Sequence, residues 1–227
     1  MKKIRLFRPV ALFLCLFLMA LSCKHEKVVQ TEKATKPKNN AKISALLKAG
    51  VEKWDTVEAR YKKLNYNDLG TEPHILGLTM HKMDIRTPEG TPFSVRVGEE
   101  SGLVSSHEWR ATFEKGAEKR INAFIPRIMA AVFGNLKGYL ANASVIVRQV
   151  MKEQGKDACV AAKLGPWQVI AIYKSSGPAG YHELSLLFGD ERAKLKGSSK
   201  LYKMLSARAM RCHGLKLQGK AKATKEQ

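Results

Sequence analysis

Two kinds of periodicity alternate along this chain, and their order restricts the fold more than any other feature. Trp167–Lys174 is rich in Val, Ile and Tyr; Ser175-Ser176-Gly177-Pro178-Ala179-Gly180 then turns the chain, and Tyr181–Phe188 returns. That is a β-hairpin signal. A second hairpin is expected upstream, from Ile75–Arg86 and Phe93–Val97, joined by the turn-rich Thr87-Pro88-Glu89-Gly90-Thr91-Pro92. Phe93, Val95 and Val97 alternate with Ser94 and Arg96, as in a half-buried strand. Between the hairpins the spacing becomes helical. Ser105 and Glu108 have the spacing of a capping box, and Trp109, Phe113, Ile121, Phe124, Ile128, Val132, Leu136 and Tyr139 form one stripe, which Pro126 must kink or break. Asn142 or Ser144 is expected to cap a second helix running to Gln154. Hairpins separated by long helices predict an α+β fold: an antiparallel sheet of about four strands in two hairpins, with helices packed on one face.

The flanks extend this reading. Asn40 is a good N-cap for an amphipathic helix over Ala41–Leu64, interrupted by Gly50, with Ile43, Leu47, Trp54, Val57, Tyr61 and Leu64 on its apolar stripe. Asn65–Pro73 reads as a turn region. From Phe124 to Val147 only Arg127 and Lys137 are charged; with both near the middle, a buried helix pair is simpler than a membrane insertion. Asp190–Lys196 and Ser199–His213 are helical, ended by Gly214.

The N-terminus follows another logic. Lys2, Lys3, Arg5 and Arg8 precede an apolar run from Val10 to Leu21, then Ser22 and Cys23. That order is an export signal, with an apolar run shorter than the roughly 20 residues of a membrane span. Met19-Ala20-Leu21-Ser22-Cys23 resembles the lipobox of bacterial lipoproteins. The family prefers Leu three residues before the cysteine, where this chain has Ala20 and then Leu21. The resemblance is confined to this segment. It implies cleavage between Ser22 and Cys23, diacylglyceryl on the Cys23 thiol, and a place in the cell envelope. Lys24 is not the aspartate that resembles an inner-membrane retention signal, so the outer membrane is favoured, facing the periplasm or the cell surface. Lys24–Asn40 is polar and lysine-rich, as a tether would be. The expected organisation is a signal peptide over 1–22, a lipidated N-terminus and tether over 23–40, one α+β domain over 41–213 and a basic tail over 214–227.

Charge is unevenly spread. The net charge of +20 becomes +16 without residues 1–22; of this, residues 24–64 hold +6, residues 65–191 hold zero and residues 192–227 hold +10. Basic ends on a neutral body attract anionic surfaces such as phospholipid headgroups, lipopolysaccharide or peptidoglycan. Nucleic acid is a weaker partner, because no aromatic side chains interleave with the basic tail. Lys196, Lys200, Lys203 and Arg211 fall near one helical face, and Leu201, Met204, Leu205 and Cys212 near another. A basic amphipathic helix of this type lies on anionic membranes or binds acidic partners. The simpler reading is a helix docked by its apolar face, with Cys212 tied inward by a disulfide and its lysines solvated, and the two readings are compatible.

Cys159 and Cys212 remain once Cys15 leaves with the signal and Cys23 is lipidated. In an oxidising compartment they form a disulfide; the alternative is two buried thiols. The six histidines show no i, i+3 or i, i+4 pairing, there is no CxxC, and no GxSxG, SxxK or HExxH occurs, so no metal, cofactor or catalytic residue is assigned. The functional expectation is a non-enzymatic, lipid-anchored envelope protein whose basic ends engage an anionic surface or acidic partner. A carrier of a small apolar ligand or lipid, motivated by Phe124–Val147, is second, and an enzyme without a recognisable motif is third.

Overall fold

The computed structural model describes residues 36–134, 136–152, 157–175 and 180–214. The expected export signal, Cys23 and residues 215–227 of the expected tail lie outside the described residues, while Gly214 ends β8. Two short helices, α1 (Lys36–Lys48) and α2 (Trp54–Lys62), precede four strands: β1 (Asn67–Pro73), β2 (Thr79–Arg86), β3 (Pro92–Glu100) and β4 (Leu103–Glu114). Helices α3 (Glu118–Phe133) and α4 (Lys137–Lys152) follow, then β5 (Ala158–Leu164), β6 (Trp167–Lys174), β7 (Tyr181–Asp190), α5 (Lys196–Ala209) and the two-residue β8 (His213–Gly214). The strands make one sheet in the order β1-β2-β3-β4-β7-β6-β5-β8. Seven strands are antiparallel to their neighbours, and β8 joins β5 in parallel.

The α+β class and both expected hairpins are present, but the sheet has seven long strands rather than about four. β4 is the main correction. Ser105 and Glu108 do not cap a helix; Trp109, Ala111 and Phe113 are buried while Arg110, Thr112 and Glu114 are exposed, the period of a strand. The expected turn region Asn65–Pro73 is instead mostly strand β1, with a local turn within it: Asp68 Oδ1 accepts from the Gly70 amide at 2.8 Å, and the register shifts between Asp68 and Thr71. The turn chemistry is real but sits inside an exposed edge strand as a bulge. β5 is an additional strand with a weak local signal, because Ala158-Cys159-Val160-Ala161-Ala162 carries little β propensity. The single helix over Ala41–Leu64 is two helices, the first beginning at Lys36 within the expected tether, broken where Gly50 takes φ +84°. The long central helix is instead β4, α3 and α4, and α3 runs through Pro126.

Register assigns each side chain to a face. The row Met83, Val95, Trp109, Leu186, Ala171, Val160 crosses from β2 to β5 and is buried throughout. α2, α3 and α4 cover this face, with Val57, Tyr61, Ile121, Ile128, Val132, Ile146 and Val147 in the same cluster. Phe133 meets Trp167 and Phe188 edge-on at 5.5 and 5.6 Å. One side of the stretch Phe124–Val147, carrying Phe124, Ile128, Val132, Ile146 and Val147, is therefore core, and among the described residues no helix is long and apolar enough to cross a membrane. A smaller cluster of Leu46, Val51, Leu103 and Ala193 seats α1. The expectation of helices on one face is also corrected. α5 lies on the opposite face, where Leu205 and Ala209 pack on Ala161, Ile170 and Leu187.

Candidate functional site

α5 is the element whose sequence suggested contact with a partner, and the structure fastens it at both ends. Its N-cap, Leu195, offers no side-chain cap. The free amides of its first turn instead reach Glu100, at the end of β3. Gly197 and Ser198 donate their N–H groups to the carboxylate at 3.2 and 2.8 Å, and the Ser198 hydroxyl donates at 2.9 Å. A carboxylate there satisfies orphan donors and complements the helix dipole. Gly197 is required by close approach, since a Cβ on it would lie 2.4 Å from the Leu76 carbonyl oxygen. Past the other end, Cys212 is joined to Cys159 of β5, with Cα atoms 4.9 Å apart. Cys159 and Cys212 thus pair at disulfide distance, across a separation of 53 residues. The chain then adds His213–Gly214 to β5.

With the apolar side held down, Lys196, Lys200 and Lys203 point to solvent along α5, and Arg211 is exposed just beyond it. Among the described residues none of the four forms an ion pair. Met204, expected on the docked face, is 58 % exposed and instead edges a groove beside the helix. Arg208, which sequence spacing did not single out, is exposed on the same edge.

That groove, of 360 Å³, runs between α5 and the uncovered part of the sheet. Arg96 and Arg110 reach it from β3 and β4, and Met80 and Leu187 contribute apolar surface. Arg110 Nε donates to Glu108 at 2.7 Å. Arg96 lies 3.9 Å from Glu72, which Lys82 approaches more closely at 3.2 Å. Only the assembled register brings these arginines to one place.

Three further clusters hold titratable groups. At the first turn of α3, His182 bonds to the Tyr173 hydroxyl through Nδ1, 3.6 Å from Glu118. Burial, and then the nearby Glu118 charge, raises the Tyr173 pKa. The cluster ties α3 to the β6–β7 hairpin beside an 880 Å³ cleft that Lys115, Lys119 and Ser175 also line. In the core, the Tyr61 hydroxyl and His107 Nδ1 share a 2.8 Å bond. Burial, reinforced by the Arg60 charge, pushes His107 down to about 3 and keeps it neutral. His81 stacks on Trp54 at 3.7 Å and pairs with Glu99 at 2.7 Å. Among the described residues no group of three or more His, Cys, Asp or Glu side chains is placed to hold a metal ion.

No protein-family model, no curated protein and no solved structure matches this chain.

Proposed function

We propose that this is a lipid-anchored protein of the bacterial envelope, held at the outer membrane through Cys23, which uses the outer face of α5 to engage an anionic surface. The observation that carries the reading is the fastening of α5. Glu100 and Cys159 fix the helix so that Lys196, Lys200, Lys203 and Arg211 face outward together without an ion-pair partner among the described residues. Each lysine or arginine near an anionic membrane contributes roughly 1 kcal/mol of attraction, screened by salt. The stretch that motivated the carrier reading offers no room for a ligand, because Phe124, Ile128, Val132, Ile146 and Val147 pack in the cluster between the sheet and α2–α4.

The test uses the full lipidated chain in neutral phosphatidylcholine vesicles. Acceptors are anionic phosphatidylglycerol vesicles, lipopolysaccharide-bearing vesicles and peptidoglycan sacculi, each at low and high salt. Docking to at least one acceptor is expected at low salt, and the triple variant Lys196→Glu, Lys200→Glu, Lys203→Glu should weaken it by roughly a hundredfold. Capture that ignores both salt and the triple variant would sink the proposal.

A further inference from the structure

One row of side chains on the α5 face changes character halfway across the sheet. From β2 to β5 it reads Lys82, Arg96, Glu108, Leu187, Ile170, Ala161. The last three are buried in the cluster against which α5 packs, while Arg96 is exposed and Lys82 and Glu108 are partly so. α5 covers only the apolar half. The break falls between Glu108 on β4 and Leu187 on β7, and the groove opens along that line.

Its lining offers two kinds of chemistry. Met80, Leu187, Leu201 and Met204 supply hydrocarbon, and Arg96, Arg110 and Arg208, arriving from β3, β4 and α5, supply positive charge. Glu108 is the carboxylate among the lining residues, and it is engaged by Arg110. Arg208 has no ion-pair partner among the described residues. A guanidinium fork matches the oxygens of a phosphate two at a time, which a lysine ammonium does not. At 360 Å³ the groove has the size of a small-molecule site, too small for a folded partner.

We propose that this groove binds one amphipathic phosphate ester, with its anionic head among Arg96, Arg110 and Arg208 and its hydrocarbon against Met80, Leu201 and Met204. The source argued for is a single anionic phospholipid, because a soluble sugar phosphate would leave the methionine and leucine side chains wet. The inference rests on the proposed engagement of anionic surfaces by α5 and deepens it from surface attraction to recognition of one molecule. It uses different side chains from the lysine face, so the two can fail separately.

Native mass spectrometry of the full chain released from neutral detergent counts bound molecules directly. The probes are dihexanoyl phosphatidic acid, glycerol 3-phosphate and dihexanoylglycerol. One saturable dihexanoyl phosphatidic acid per chain is expected. The exposed-site variants Arg208→Gln and Met204→Glu should each weaken it about tenfold. The other two probes, each lacking one half of the ligand, should bind at least tenfold more weakly. The triple lysine variant should leave this binding unchanged. Equal binding of glycerol 3-phosphate would make the ligand a soluble phosphate and overturn the lipid assignment. Equal binding of dihexanoylglycerol would overturn the arginine site. Absence of a saturable adduct, with vesicle docking intact, would overturn the groove and leave the lysine face standing.

Discussion

The two faces of the sheet come from the same strands, taken at alternate residues, and they do opposite things. On one face the row through Trp109 is apolar from Met83 to Val160, and three helices close over it. On the other, the row through Glu108 is charged for half its length and apolar for the rest, and a single helix covers the apolar half. The first face is held mainly by burial of that many large side chains, at about 1.5–3 kcal/mol each. The second has a small apolar footprint, so α5 is kept in place by a carboxylate at one end and a covalent bond at the other. The difference teaches that stability and surface chemistry have been assigned to opposite sides of one sheet.

The sharpest way to break this contrast is truncation. Trp109→Ala should cost about 3–5 kcal/mol in urea unfolding, and Leu205→Ala, on the sheet-facing side of α5, well under half of that. Equal costs would dissolve the distinction between the faces. The Cys159→Ser, Cys212→Ser pair should cost about 2–4 kcal/mol. Hydrogen exchange should show the loss concentrated in α5 and β8, with α3 and α4 protected as before; uniform deprotection would mean that α5 belongs to the main core.

A third effect belongs to the first face alone. His107 is held neutral in the fold at about 3, against about 6.5 when unfolded. A depressed folded value contributes stability above pH 6.5 that is lost as pH falls toward 3. Between pH 6.5 and 5 the wild type should lose about 2 kcal/mol that His107→Leu does not lose. Parallel pH profiles would refute the buried neutral imidazole. Smallest of all, the triple lysine variant should shift stability by less than about 0.5 kcal/mol, because those side chains only meet water. A larger change would make the lysines part of the fold's support.

Part of this design was readable in the sequence. The β6–β7 hairpin, the β2–β3 pair and the buried side of Phe124–Val147 follow from local pattern, since each residue's neighbours in the chain are its neighbours in the period. The basic stripe of α5 is legible on the same ground. β4 was hidden because Trp109 and Phe113 are four apart, which suits a helix and a strand equally, and the true helical stripe of α3 begins a few residues later. The Glu100 cap and the meeting of Arg96, Arg110 and Arg208 depend on which strand lies beside which, and no local period encodes that. The disulfide could be counted from the sequence but placed only by the sheet.

The fastening of α5 also sets what kind of encounter it can have with a bilayer. A free amphipathic peptide coils up on arrival and rolls its apolar side into the acyl chains, gaining depth at the expense of ordering itself. α5 arrives already ordered and cannot roll, because Leu205 and Ala209 are committed to the sheet beneath. On the proposed reading, its touch would be that of a rigid keel resting on the headgroups, quick to lift when salt rises. Contact with hydrocarbon would then come the other way, by a lipid leaving its leaflet for the proposed groove.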